Sequence, residues 1–129
     1  MRLSGGGGSV TEGANIVDRM AFREDWLRGQ GFELHKLALF MIEGDSMEPD
    51  LRPGDMVLID LRTQGRVDFD AIYAIRVGGL LRIKRLQWNR NKSITVRSAN
   101  QYYKDETIQP GEEEDFQIIG RAVWVGRRI

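Results

Sequence analysis

Over most of the chain, apolar residues come in short runs rather than at helical spacing. Positions 37–43, 56–60, 71–77, 80–87, 93–98 and 116–125 are β-branched or apolar stretches of strand length. They are parted by Arg52-Pro-Gly-Asp55, Gly78-Gly79, Asn89-Arg-Asn91 and Gln109-Pro-Gly111, residue types that reverse a chain. Gly78-Gly79 suits a two-residue hairpin, because glycine accepts the positive φ such a turn needs, and so predicts antiparallel pairing of 71–77 with 80–87. One stretch has a different period. Within 21–30, Phe22, Trp26 and Leu27 recur at helical spacing while Arg23, Glu24, Asp25 and Arg28 turn outward, and Gly29 and Gly31 end the pattern. The pattern predicts a mostly β protein: a small antiparallel β fold with one short N-terminal helix.

Residues 1–15 include an unbroken glycine run at 5–8 and little that could be buried. They are expected to form a flexible linker, which leaves 16–129 as one folded domain. With no cysteine, disulfides, zinc thiolates and cysteine nucleophiles are excluded, and His35 is the single histidine. Lys plus Arg number 19, as do Asp plus Glu, so no global basic field draws the chain to nucleic acid. The longest apolar run, at 37–42, falls far short of the ~20 residues a spanning helix needs. The N-terminus also lacks the apolar core of a secretory signal. The expectation is a cytoplasmic protein with no membrane association.

The stretch from Glu43 to Asp60, Glu-Gly-Asp-Ser-Met-Glu-Pro-Asp-Leu-Arg-Pro-Gly-Asp-Met-Val-Leu-Ile-Asp, carries the chemistry. It leaves a strand at Gly44, exposes Ser46, turns through Pro49 and enters the next strand after Pro53-Gly54. A serine at such a junction can present its hydroxyl beside backbone N–H groups able to receive an oxyanion. The hydroxyl is a weak nucleophile until a base takes its proton. Lys84 is the best candidate base. It lies in Leu80-Leu-Arg-Ile-Lys-Arg-Leu86 and by alternation shares a face with Leu80, Arg82 and Leu86. A free lysine, with pKa ~10.4, is protonated at neutral pH, and a dry wall of leucines is what would bring it toward the ~7–8 of catalytic lysines.

Gly44-Asp-Ser-Met-Glu-Pro49, then Leu51-x-x-Gly-Asp55 and a strand ending in Asp60, then Ile83-Lys-Arg-Leu86, resembles the S24 peptidase family of LexA, cI-type phage repressors and related mutagenesis proteins. The closing Phe116-Gln-Ile-Ile-Gly-Arg-Ala-Val-Trp-Val-Gly126 is similar to the last strands of those domains. The resemblance covers roughly residues 37–126. It implies a Ser–Lys dyad, with Ser46 as nucleophile, Lys84 as general base and the backbone of Ser46 and Met47 as oxyanion donors, and no metal or cofactor. It also implies a homodimer that cleaves its own linker, parting this domain from an N-terminal helix-turn-helix domain, in many members when a RecA filament triggers it. Two departures stand out: the chain has no helix-turn-helix segment, and no Ala-Gly or Cys-Gly dipeptide lies upstream. The nearest small-residue bonds are Gly13–Ala14 and Ala14–Asn15.

Plainer roles compete for the remaining residues. Ser46 could merely cap a turn, and a strand lysine commonly reaches solvent. Asp45 and Asp55 flank turns and are read as loop-fixing acceptors rather than a metal pair. His35 is read as an exposed bystander, and Glu112–Asp115 as a solvated loop. Trp26, Trp88, Trp124, Tyr102 and Tyr103 could form a stacking surface for single-stranded nucleic acid, but with no basic stripe they are read as core or interface. Arg97, Arg121, Arg127 and Arg128 form a modest basic edge. A long apolar strand at the chain end would be a sheet edge in need of cover, which makes the region around Ile118–Val125 the expected dimer contact. Two alternatives stay open: a non-catalytic dimerisation or effector-binding module, and a relative of membrane signal peptidases.

Overall fold

The computed structural model describes residues 14–16, 21–63, 70–111 and 115–129. The strands are β1 (Ala14–Ile16), β2 (Leu37–Ile42), β3 (Met56–Asp60), β4 (Ala71–Val77), β5 (Leu80–Trp88), β6 (Ile94–Arg97), β7 (Glu106–Ile108) and β8 (Phe116–Gly126). Helix α1 (Glu24–Gly29) precedes β2, and single 3-10 turns occupy Leu34–Lys36 and Leu61–Thr63. The strands form one antiparallel sheet in the order β1-β2-β3-β8-β4-β5-β6-β7. The mostly β architecture with one short helix is as the pattern predicts.

The turn chemistry explains the register. Gly78 and Gly79 have φ of 56° and 84°, so both central residues are left-handed and Val77 pairs directly with Leu80. Strand alternation then sends Leu81 and Ile83 to one face and Lys84 and Leu86 to the other. On the first face Leu81 and Ile83 pack with Phe40, Ile42, Val57, Ile59 and Ala74, and with Met47 and Leu51 from the turn between β2 and β3. On the second, Leu86 packs with Tyr73, Ile75, Ile94, Val96 and Ile118. Helix α1 contributes Leu27 to a third cluster with Leu37, Leu39 and Leu58. The helix is shorter than the stretch 21–30: it begins only after Arg23, an extended N-cap residue whose side chain caps none of the free N–H groups of the first turn, and it ends at Gly29.

Two features depart from expectation. Ala14 and Asn15, assigned to the linker, begin β1 and pair with Ile42 and Met41; residues 1–13 lie outside the described residues. The C-terminal strand is interior rather than an edge. Its first half, from Phe116 to Arg121, pairs with β4, and its second half, from Arg121 to Gly126, pairs with β3. Each half is therefore paired on one side, and the far side of 122–126 has no strand beside it among the described residues. The acidic run is described only at Asp115, which is exposed.

Candidate active site

The serine lies at the crown of a turn that is closed at its base. Ile42 N–H donates to Asp55 O and Gly54 N–H to Ile42 O, both at 2.8 Å, so residues 43–53 form an excursion between two strand ends. Gly44 leaves β2 with φ of 74°, a backbone state costly for other residues. Glu48 N–H donates to Asp45 O at 3.1 Å and Leu51 N–H to Met47 O at 2.8 Å, coiling the segment, while the buried Met47 and Leu51 pin it to the core. Ser46, beside the buried Met47, is itself half-buried. Neither Ser46 N–H nor Met47 N–H donates to a backbone acceptor in the described turn contacts.

Asp55, 2% exposed, fixes the base of the turn. Its carboxylate accepts Arg127 Nε at 2.9 Å and Nη2 at 2.7 Å, and Arg52 N–H at 2.9 Å. The Arg127 hydrogen bonds hold the carboxyl below its usual range, against the opposing effect of burial, with the Arg52 N–H adding to the same side. Asp55 is thus the loop-fixing acceptor that its position suggests. Arg127 belongs to this pair, which the basic-edge reading of the sequence missed. Asp60 is held in a similar way by Arg62, at 2.7 Å from Nη2.

Lys84 is 8% exposed, directly across from the fully buried Tyr73 on β4. The side chain is therefore largely enclosed by the sheet and its neighbours. Nζ donates to Ser98 Oγ at 2.8 Å and lies 5.7 Å from the centroid of the Tyr103 ring. The lysine and the serine turn are joined by residues 98–103. Asn100 N–H donates to Ser46 O at 3.0 Å, Asn100 Nδ2 donates to Asp45 O at 3.1 Å, and Tyr103 Oη donates to Asp45 Oδ1 at 2.6 Å. One short loop thus grips the serine turn with Asn100 and Tyr103, and the lysine with Ser98 and Tyr103.

A cavity of about 200 Å³ opens beside the amine, lined by Arg82, Lys84, Val96, Ser98, Tyr103, Lys104 and Glu106. On the other side of the loop a groove of about 540 Å³ runs between Glu48-Pro49 and Ala99–Tyr102. Ser98 and Asn100 escaped the sequence reading, although a signal for Ser98 was present, and Tyr103 was read only as core or interface. The turn at Asn89–Asn91 makes β5 and β6 a hairpin in which Arg85 opposes Arg97, and one step further along that register brings Ser98 opposite Lys84. The other predicted residues lie elsewhere. His35 is exposed, and Trp26 and Trp124 pack with Phe22 and Phe32 against α1. Trp88 is exposed at the end of β5.

The molecule is therefore a small antiparallel β domain in which a serine-bearing turn and a buried strand lysine are gripped by one loop. Residues 2–123 match the Peptidase S24-like family, and the chain belongs to it. It is 39% identical over 85 residues to the repressor protein CI of Enterobacteria phage phi80, covering 66% of this chain and 34% of that relative. To the 26 kDa repressor protein of Escherichia phage HK022 it is 35% identical over 82 residues, again 34% of the relative. An uncharacterised HTH-type transcriptional regulator of Haemophilus influenzae is 25% identical along the whole chain, which spans 54% of it. The chain thus spans about a third to a half of the length of these curated relatives. Among the described residues no helix is long and apolar enough to cross a membrane.

Proposed function

We propose that the chain is the self-cleaving, dimerising domain of a repressor-type transcription regulator, with Ser46 as nucleophile and Lys84 as general base. The observation that carries this reading is the burial of the Lys84 side chain on a strand tied by one loop to the backbone of Ser46. Burial disfavours the ammonium, which is the condition for a lysine to act as a base near neutrality. A neutral amine can keep donating to Ser98 while its lone pair takes the Ser46 proton. Ser46 Oγ then bonds to the peptide carbonyl carbon, the oxygen's charge falls to the N–H groups of Ser46 and Met47, and the ammonium protonates the departing amine. Water hydrolyses the resulting ester by the reverse proton route.

The position of β1 supports a substrate within the same chain. Ala14 pairs with Ile42, four residues before Ser46, and β1 also approaches β5, the strand of Lys84. In this reading the cut falls at or near Gly13–Ala14 or Ala14–Asn15. DNA is read by a helix-turn-helix segment outside these residues, and a RecA filament is the trigger. The open side of 122–126 serves as the dimer contact, pairing with its copy by the backbone groups that β3 does not use. Cutting the linker would then uncouple two DNA-reading domains and weaken their joint grip.

Mass spectrometry of the chain at mildly alkaline pH, beside Ser46→Ala and Lys84→Ala, tests the chemistry. Self-cleavage should speed up as pH rises and vanish in both variants. Cutting that survives in either one would sink the dyad, and a parent chain that stays whole at every pH would leave a non-catalytic dimerisation module. Sedimentation of Val125→Glu beside the parent tests the contact: the parent should be a dimer and the variant a monomer.

A further inference from the structure

We propose that Tyr103 is a positioning residue for the Ser46–Lys84 pair, its hydroxyl tethering the serine turn while its ring face holds the lysine amine. The inference rests on the reading of those two residues as nucleophile and base. Tyr103 touches both halves of the site. Its hydroxyl reaches Asp45 Oδ1 at 2.6 Å, the length of a charge-assisted O–H···O bond, and Asp45 is the residue before Ser46. Its ring centroid is 5.7 Å from Lys84 Nζ, inside the ~6 Å over which a ring face attracts a cation. The Tyr103 N–H donates to Asn100 O at 3.1 Å, and Asn100 in turn binds both Ser46 O and Asp45 O, so the ring is carried on a coil that is itself fastened to the turn.

The two contacts have separable consequences. The hydroxyl fixes where the turn lies and has no charge to exert on the amine. The ring face favours the ammonium and so acts against burial, which favours the neutral amine. Other groups around the amine come from each neighbouring element. Arg82 lies on its own strand, Tyr73 stands across from it on β4, β6 contributes Val96, the Ser98 hydroxyl and Lys104 come from the segment after it, and Glu106 comes from β7. Arg82 and Lys104 oppose a charged amine and Glu106 favours one. A ring that lines the same cavity, itself 44% exposed, adds its own attraction for the ammonium to these.

Tyr103→Phe keeps the ring and loses the tether, whereas Tyr103→Leu loses both and keeps apolar bulk over the amine. The first measurement is an NMR titration of labelled lysine side chains in the Ser46→Ala chain, which stays intact. With four lysines in the sequence, Lys84→Ala assigns the signal. The Lys84 midpoint should fall by about half a pH unit with Tyr103→Leu and stay unchanged with Tyr103→Phe. In chains that retain Ser46, cleavage should slow several-fold in both variants, with its pH profile displaced downward by the same half unit only for Leu. Should the Leu variant not fold, Tyr103→Met replaces it. A Lys84 midpoint common to all three chains, or displaced equally by Phe and Leu, overturns the proposal. A titration difference in a chain that never cleaves would sink the nucleophile–base reading and leave the hold of Tyr103 on the amine standing.

Discussion

At its base the serine turn is closed by a buried carboxylate, and at its crown by an exposed loop. Asp55 is almost wholly enclosed, accepts three N–H donors and is continuous with β3. Asn100 and Tyr103 lie at the surface and hold the turn through three hydrogen bonds that solvent can reach. A buried, charge-assisted contact is expensive to lose, because the partner left behind is stranded in a poor solvent. An exposed one is replaced by water at little cost. The base of the turn should therefore behave as part of the fold, and the crown as an adjustable part of the site.

Substitutions can break that contrast. The largest expected effect is at Gly120, where β8 crosses beneath the end of β3. An added Cβ there would collide with the Asp60 carbonyl oxygen and meet Ile59 Cγ2 at 2.8 Å. Gly120→Ala should cost about 3 kcal/mol in urea unfolding, because backbone cannot step aside as a side chain can. Asp55→Ala should cost roughly 2 kcal/mol by the same measurement, since three N–H donors lose one buried, charged acceptor. A loss below about 0.5 kcal/mol would show the base to be no firmer than the crown.

The pH dependence of Asp55 sharpens the same point. Its carboxyl titrates below its ordinary value in the folded chain, so its contribution is fully present above the unfolded value near ~3.9. That contribution is lost as pH falls from there through the lowered folded value. Unfolding curves of the parent and Asp55→Asn should differ at neutral pH, begin to converge only below about pH 4 and meet once the pH is below the lowered folded value. A gap that persists at lower pH would mean the ion pair is not its source. The smallest effect on stability is expected at the crown: Asn100→Ala should lose about 0.5–1 kcal/mol or less. Its cleavage rate should nevertheless fall by more than that stability loss explains. Equal changes in the two would erase the distinction between base and crown.

Six strands and the helix were legible because each carries its own apolar run or turn signal. Strands β1 and β7 were not. Each is three residues long, Ala-Asn-Ile and Glu-Thr-Ile, too short to show a period, and each exists by pairing with a longer neighbour. The interior place of β8 was hidden for a related reason. An apolar strand at a chain end reads the same whether it borders the sheet or fills a gap between strands made earlier. At the site, Ser46 and Lys84 stood out through their local context, and Lys84 proved buried as its leucines suggested. Arg127 and Tyr103 did not stand out, because their partners, Asp55 and Asp45, are 72 and 58 positions away and only the folded sheet brings them near.

A strand shared between two half-sheets acts as a splice. The hydroxyl-bearing turn leads into β3, the amine sits on the hairpin partner of β4, and β8 clasps β3 with one half and β4 with the other. The gap between Ser46 and Lys84 is therefore gauged by the length of one extended segment. Two residues inserted at its midpoint would preserve which side chains face inward, yet would draw the halves apart by about 7 Å. Any force or ligand that slides this segment lengthwise would change the aim of the serine and the lysine together.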